Sequence, residues 1–316
     1  MPRFDVTIAG ELNLDLILYG LPAELPRERE LLADRMMLTL GSSSAIVAHN
    51  LASLGSRVGF QSRIGEDDFG QIALTRLSAS GVDASLVRRS STSNTGLTVI
   101  LQHDPWRNIL TYSGTISELK VADLDLDYLS NSRHFHLSSF YLQNSLRPDI
   151  PELFRRLKAA GLTISLDTND DPENRWSGLE DVLRYVDVFL PNEREACKIA
   201  HTDNLDQAIA KLSELVPILV VKLGSKGAIA RRGAEEVQAA AVCVTMVDPV
   251  GAGDSFDAGF LHHYIRGADL ATCLAWGNLA GALSTTKPGG TEAFRDSTHR
   301  KRFFGEHTSA HSRLST

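Results

Sequence analysis

Cysteine is scarce: Cys197, Cys243 and Cys273 are the only three in 316 residues, widely separated and never spaced as CxxC. That spacing excludes a disulfide framework and a cysteine zinc site, and it suits a reducing cytoplasm. Positive charge is in deficit, with 32 Lys+Arg against 39 Asp+Glu and a net charge of −7. Nucleic acid is therefore not an expected partner, because binding a phosphate backbone takes concentrated positive charge. No apolar run, including residues 239–247, is long enough to cross a bilayer core of about 30 Å. The N-terminal stretch carries Asp5 and Glu11 where an export signal would be apolar. A cytoplasmic protein without membrane attachment is expected. Four motifs are also missing: GxGxxG after the first apolar run, GxxxxGK[ST], GxSxG and HExxH. Nicotinamide-dependent oxidoreductases and other common α/β enzymes thus lose their support. His134 and His136, flanking Phe135, read as structural.

What is present is a globular composition, 43% hydrophobic and 22% charged, sufficient for one large domain or two of about 150 residues. Short apolar runs at 4–9, 58–61, 135–137, 163–166, 186–190 and 218–222 are interspersed with helical patterns at 43–54, 69–80, 150–160, 194–200 and 205–215. This alternation predicts an α/β fold with a mainly parallel, doubly wound sheet. Stretches 14–40 and 96–112 break the rhythm with successive β-like segments and no helix between them. They predict a small β-sheet lid inserted in a domain spanning 1–295, the second stretch as a hairpin around Asp104-Pro105. Helices are expected at 253–265 and 270–284. The polar tail, 296–316, reads as partly loose.

The densest chemistry lies in Asp248-Pro249-Val250-Gly251-Ala252-Gly253-Asp254-Ser255-Phe256, a small-residue loop entering a helix. Gly251, Ala252 and Gly253 let successive N–H groups point into one cavity, and the helix adds the positive end of its dipole. Such a site suits a transferring phosphoryl group, with Asp254 beside it to take a proton from an attacking hydroxyl. The same residues also fit a tight turn in which Asp254 is only an N-cap.

The segment DPVGAGDSF resembles the C-terminal signature of the ribokinase-like (PfkB) carbohydrate kinases, D-T-[ST]-G-A-G-D-x-[FY], from which Pro249 and Val250 depart. Further features follow in the family's order, from Asn13-Leu14-Asp15 to Lys287-Pro288-Gly289-Gly290. The resemblance implies an ATP- and Mg2+-dependent kinase acting on a hydroxyl of a sugar or sugar-like small molecule, with Asp254 as general base. Asn192 and Glu195 match the family's N-x-x-E motif and can hold the waters of a magnesium ion; a helix capping box is the alternative. Lys222, Gly224, Ser225 and Gly227 match the turn lying against the nucleotide. Asn278 and Gly289 match regions bordering the adenine, though Asn278 could equally bridge helices in the core.

On the acceptor side the resemblance implies roles for Asn13 and Asp15, and for Asn169 within Asp167-Thr168-Asn169. Asp170-Asp171 stand where relatives often have an arginine, which disfavours an anionic substrate at that edge. The family's first signature, a Gly pair with a sugar-binding Asn four residues after its second Gly, is here Gly41-Ser42-Ser43-Ser44-Ala45-Ile46. Ile46 cannot replace an amide, so either the substrate lacks a group there or Ser42, Ser43 and Ser44 supply the contacts. Asn50, one helical turn further on, is expected to point too deep to compensate. Some relatives use a monovalent cation such as K+ at positions matching Asp248, Val250 and Gly289, and lid strands often pair into homodimers. A nucleoside kinase of the same fold and a non-catalytic nucleotide or sugar sensor are the alternatives. Retention of Asp254, Asn192 and Glu195 together speaks against the sensor.

Overall fold

The computed structural model describes residues 2–103 and 106–311, with side chains through residue 307. Among them an eight-stranded sheet runs in the order Glu235–Ala239, Ala228–Arg232, Ile218–Lys222, Val188–Phe189, Thr163–Leu166, Ser132–Leu137, Phe4–Ala9, Val58–Gln61. From Ile218–Lys222 onward neighbouring strands are parallel; the hairpin of the first two adds an antiparallel edge. Side chains alternate between two cores. Val6 and Ile8 pack with Leu51, Phe60 and Phe260 on one side, while Ala9 joins Leu137, Phe154 and Phe189 on the other, where Phe4 also lies, out of alternation at the strand's first residue. Burial on both faces is why these strands read as continuous apolar runs.

Helices cover both faces. In Ile150–Ala159 the buried residues Ile150, Leu153, Phe154 and Leu157 recur at helical spacing. The other face carries Ser43–Ser53, Ala252–Tyr264 and Leu270–Thr285. The last two approach closely: a Cβ on Gly259 would lie 2.4 Å from the Trp276 carbonyl oxygen, so a side chain does not fit there.

A second sheet, ordered Arg35–Leu40, Leu14–Tyr19, Leu97–His103, Trp106–Tyr112, stands apart. It is built from the two stretches that broke the sequence rhythm. Its last two strands pair antiparallel from Leu97↔Tyr112 to His103↔Trp106, and the expected turn at Asp104-Pro105 lies outside the described residues. Over residues 297–311 the structure corrects the expectation of a partly loose tail, while residues 312–316 lie outside the described residues. Ser297–His311 is a helix, and Phe303, 5% exposed, packs with Leu283 and Phe294. Two adjacent phenylalanines, Phe303 and Phe304, anchor an otherwise polar helix, which composition averaging hides. No helix among the described residues is long and apolar enough to cross a membrane.

Candidate active site

The loops leaving the carboxyl ends of Phe4–Ala9, Thr163–Leu166, Val188–Phe189 and Ile218–Lys222 meet the start of Ala252–Tyr264, the crevice that parallel sheets leave open. Gly251 caps that helix in the left-handed region, φ 72°, and a Cβ there would lie 2.5 Å from Gly290 Cα. Glycine is required on both counts. The Ala252 N–H closes a turn on the Pro249 carbonyl at 3.3 Å. The N–H groups of Gly253 and Asp254 fall in the first turn, where a helix offers no acceptor of its own. Gly253 is exposed, so the nest opens to a ligand.

Asp254 is half-buried at the mouth of this nest, and its Oδ1 accepts a hydrogen bond from the Ser43 hydroxyl. Burial pushes its carboxyl up to about 6, with the Ser43 bond opposing the rise. The carboxylate is only partly covered and forms no ion pair with an arginine among the described residues. Behind it lies Glu11, 3% exposed, which accepts from Ser44 N at 3.1 Å, Ser44 Oγ at 2.8 Å and Gln143 Nε2 at 2.6 Å. Neither Glu11 nor Gln143 stood out in the sequence, although an acid directly after a buried strand and Gly10 was the available signal.

On the acceptor side, Asp15 is 6% exposed and opens the strand Leu14–Tyr19. Burial, with Asp254 and Asp248 as like charges, pushes it up to about 7, and no hydrogen bond contributes. Gly41 gives it room, because a Cβ there would lie 2.1 Å from Asp15 Oδ1. The buried Asn13 amide donates to the Leu14 carbonyl at 3.1 Å. Ser42 keeps the positive φ (63°) of the glycine it replaces, caps the helix by accepting from Ala45 N at 3.1 Å, and donates to the Glu11 carbonyl at 2.7 Å. Its hydroxyl is thus spent on the turn, which leaves Ser43 as the serine directed at Asp254. Ile46 is 2% exposed, packed beneath Gly251 and Gly290. Asn50 donates to Ser255 Oγ at 2.9 Å and the Gly290 carbonyl at 3.1 Å, too deep to serve the cleft, as expected. Asn169, at φ 53°, accepts from Ser139 N at 2.9 Å, joining two loop ends. Asp171 explains part of the acidic pair: it ties down its own loop by accepting from the N–H groups of Glu173, Arg175 and Trp176.

Asn192 and Glu195 form the capping box. Asn192 Oδ1 accepts from Glu195 N at 3.0 Å, and Glu195 accepts from Asn192 N at 2.9 Å. Burial and the nearby Asp167 charge push Glu195 up to about 7. Lys222 is almost enclosed, donating to Asp167 at 2.7 Å and Asp257 at 3.2 Å. Its ammonium would lie 3.6 Å from a Cβ on Gly253, directly beside the nest. Burial works against its charge, but Asp167 and Asp257 more than offset that and raise its pKa. Burial likewise works against Asp167, where Lys222 and hydrogen bonds prevail and hold it down; in Asp257 burial prevails and pushes it well up. Asp257, one turn beyond Asp254 in the same helix, went unremarked in the sequence.

Asp167 and Asp257 contact this single ammonium and Asp254 and Glu195 lie within electrostatic reach of it, so carboxyl groups outnumber the one cation, and those that burial holds up would be ionised by an arriving divalent cation. No cluster of three or more metal-ligating side chains exists among the described residues. Carboxyl groups beside a cleft of this kind fit a magnesium ion that keeps most of its waters and meets the protein through few carboxylates.

The turn Gly224–Lys226 exposes Gly224 and Ser225, and no atom lies within 4 Å of a Cβ on Gly224. Gly227 is instead structural, since a Cβ would lie 2.0 Å from the Ala239 carbonyl oxygen. Asn278 donates to the carbonyls of Ala239 and Ala240, both at 3.0 Å, and so fastens an edge strand to a helix. Gly289, φ 79°, donates its N–H to Asp248 Oδ2 at 3.0 Å. His134 and His136 are fully buried in hydrogen bonds with Thr163, Ser165 and Ser138, and burial holds both imidazoles neutral.

Among known proteins, a 2-dehydro-3-deoxygluconokinase of Bacillus subtilis is 29% identical over 266 residues, covering 79% of this chain and 82% of that protein. An ATP-dependent ribose-1-phosphate kinase of Halopiger xanaduensis is 30% identical over 292 residues, covering 91% and 94%. An adenosine kinase structure from Sinorhizobium meliloti superposes with a TM-score of 0.82 at 25% identity, over 91% and 95% of the chains. An E. coli chain assigned as a ribokinase II, in complex with ATP and Mg2+, gives 0.84 at 25% identity over 96% and 100%. The family model for pfkB carbohydrate kinases matches residues 4–296. With a mainly parallel α/β sheet, a small second sheet and the GAGD nest at their junction, this chain belongs to the pfkB family of carbohydrate kinases.

Proposed function

We propose that this carbohydrate kinase transfers the γ-phosphate of ATP to a hydroxyl of a sugar or sugar-like small molecule, with Asp254 as general base. The observation that carries the reading is the Ser43 hydroxyl on Asp254 Oδ1, at the mouth of the nest. An acceptor hydroxyl delivered to the same oxygen would be oriented for attack. Asp254 takes the hydroxyl proton as the new O–P bond forms, the bond to the β-phosphate oxygen breaks, and ADP leaves. The N–H groups of Gly253 and Asp254 and the adjacent Lys222 ammonium stabilise charge on the transferring group. Glu195 and Asn192 would hold a magnesium ion through its waters, and the ion would supply further neutralisation of the phosphate oxygens. Gly224 and Ser225 line the nucleotide side, while Asp15, with Asn13 and Asn169 bordering it, accepts hydrogen bonds from the acceptor.

The test is ATP consumption with Mg2+ against a panel of sugars, sugar acids, sugar phosphates and nucleosides, repeated with Asp254→Asn. One acceptor class is expected to be turned over, and the variant is expected to lose at least about a hundredfold in turnover with nucleotide binding nearly intact. Unchanged turnover in the variant would remove the base. Ribose and fructose are expected to be poor acceptors, because Ile46 offers no amide and Ser42 is engaged elsewhere. A nucleoside acceptor is the alternative outcome, for which the structural similarity to an adenosine kinase speaks. A homodimer through the strand Trp106–Tyr112, exposed along its whole length and an edge of the small sheet, belongs to the same reading. So does a reducing cytoplasm, in keeping with the free thiols of Cys197, Cys243 and Cys273.

A further inference from the structure

The residues that depart from the family signature, Pro249 and Val250, sit where the nest loop meets the small sheet. Val250 packs with Ile17 and Ile100, with Tyr19 and Met37 against the same cluster. Ile17 and Tyr19 belong to Leu14–Tyr19, Ile100 to Leu97–His103 and Met37 to Arg35–Leu40, so three strands of the small sheet meet the loop in one apolar cluster.

The neighbouring Asp248 is fully buried, and both of its carboxylate oxygens are taken. Oδ2 accepts from the Tyr19 hydroxyl at 2.6 Å and from Gly289 N at 3.0 Å. Oδ1 accepts from Val250 N at 3.0 Å and from Gln102 Nε2 at 3.5 Å. A carboxylate offers about four lone-pair positions, and four donors fill them. Two of those donors come from the small sheet and two from the loops around the nest. Burial, followed by the bond to Asp248, pushes the Tyr19 phenol up, which keeps it a donor.

A monovalent cation near Asp248, Val250 and Gly289 does not fit this arrangement. The cation seeks lone pairs, and the carboxylate has none to spare without evicting a hydrogen-bond donor. The Gly290 carbonyl is engaged as well, by Asn50 Nδ2 at 3.1 Å.

We propose that Tyr19 is a positioning residue: through Asp248 the small sheet braces the loop that shapes the nest, and this chain's phosphoryl transfer does not depend on a monovalent cation. The inference rests on the nest being the site of transfer.

The experiment measures turnover of the full chain, with Mg2+ and the acceptor identified from the panel, in KCl and in tetramethylammonium chloride at equal ionic strength. Wild type, Tyr19→Phe and Asp254→Asn are compared, with melting temperature and nucleotide affinity followed for each. Wild-type turnover is expected to agree within about twofold between the salts. Tyr19→Phe keeps the ring and deletes one charge-assisted hydrogen bond, so kcat should fall about tenfold, with nucleotide affinity and melting temperature nearly unchanged. A tenfold stimulation of the wild type by K+ overturns the inference, and so does wild-type kcat in Tyr19→Phe. A fall in melting temperature and nucleotide affinity together with kcat also overturns it, since Tyr19 would then be merely structural. If Asp254→Asn is inactive while Tyr19→Phe is fully active, only this inference fails; if Asp254→Asn retains wild-type turnover, the nest reading fails and takes this one with it.

Discussion

In the large sheet the strand Val58–Gln61 is buried at every residue; in the small sheet Trp106–Tyr112 is exposed at every residue. The first is sandwiched between two apolar cores, and the large sheet admits charge at Lys222 only with Asp167 and Asp257 to receive it. The second presents Trp106, Ile109, Leu110 and Tyr112 to solvent. The difference teaches that the large sheet carries the stability and holds the candidate groups at fixed positions, while the small sheet contributes an inner face to the site and leaves its outer face exposed. The candidate site lies at the junction, where Asp15 and Tyr19 of the small sheet meet Asp248 and Asp254 of the nest.

If that division holds, the largest effect comes from uncovering charge in the large sheet. Lys222→Met strands Asp167 and Asp257 and should cost about 3–5 kcal/mol in a denaturant titration; a loss under about 1 kcal/mol would mean that the network is open to water. Asp15→Asn, at the junction, should lower acceptor kcat/KM by about 10–100-fold, the worth of a charged hydrogen bond or two. The same change should stabilise the protein. Its carboxyl is raised in the folded state to about 7, so ionisation works against folding above that pH and not below its ordinary range. The gain in stability should be full at about pH 8 and fade as the pH falls toward about 4. Unchanged kcat/KM, or lower stability at the higher pH, would break the junction argument. Glu195→Gln should raise the half-saturating Mg2+ concentration by about tenfold, as outer ligands do, and an unshifted Mg2+ titration would leave Glu195 only its capping role. Leu110→Lys on the outer face, opposite the one that Ile100 and Ile109 share, should change stability by less than about 0.5 kcal/mol while abolishing the proposed dimer in a sedimentation experiment. A larger loss in the monomer would show that this strand is not the passive edge it resembles.

The sequence announces the parts of this molecule that are locally repetitive. Buried strands such as Phe4–Ala9 and Ile218–Lys222 are short, mainly apolar runs, and the GAGD turn is dictated by the glycine at 251 that its geometry demands. The edge hairpin Ala228–Arg232 and Glu235–Ala239 is not legible in the same way, because Ala, Arg and Glu are poor strand formers and tertiary pairing decides the outcome. Within the site, Asn192 and Glu195 could be found from their spacing, but the partners of Lys222 could not. Asp167 lies 55 residues away from it and Asp257 lies 35, so only the folded chain discloses that one ammonium answers both. Ser42 follows the same rule. Its replacement of a glycine is plain in the sequence, whereas its retention of a positive φ and its bond to Glu11 are products of packing.

The central claim, that an ionised Asp254 beside the nest activates the acceptor, is tested most directly by the pH dependence of acceptor kcat/KM. With Asp254 raised to about 6 and Asp15 to about 7, both carboxylates must be ionised for work, so kcat/KM should fall as the pH drops through this range. In Asp15→Asn one proton and one neighbouring negative charge are gone, so the limb should become single and move downward. A wild-type profile that stays flat down to about pH 5, with the protein still folded, would contradict the account.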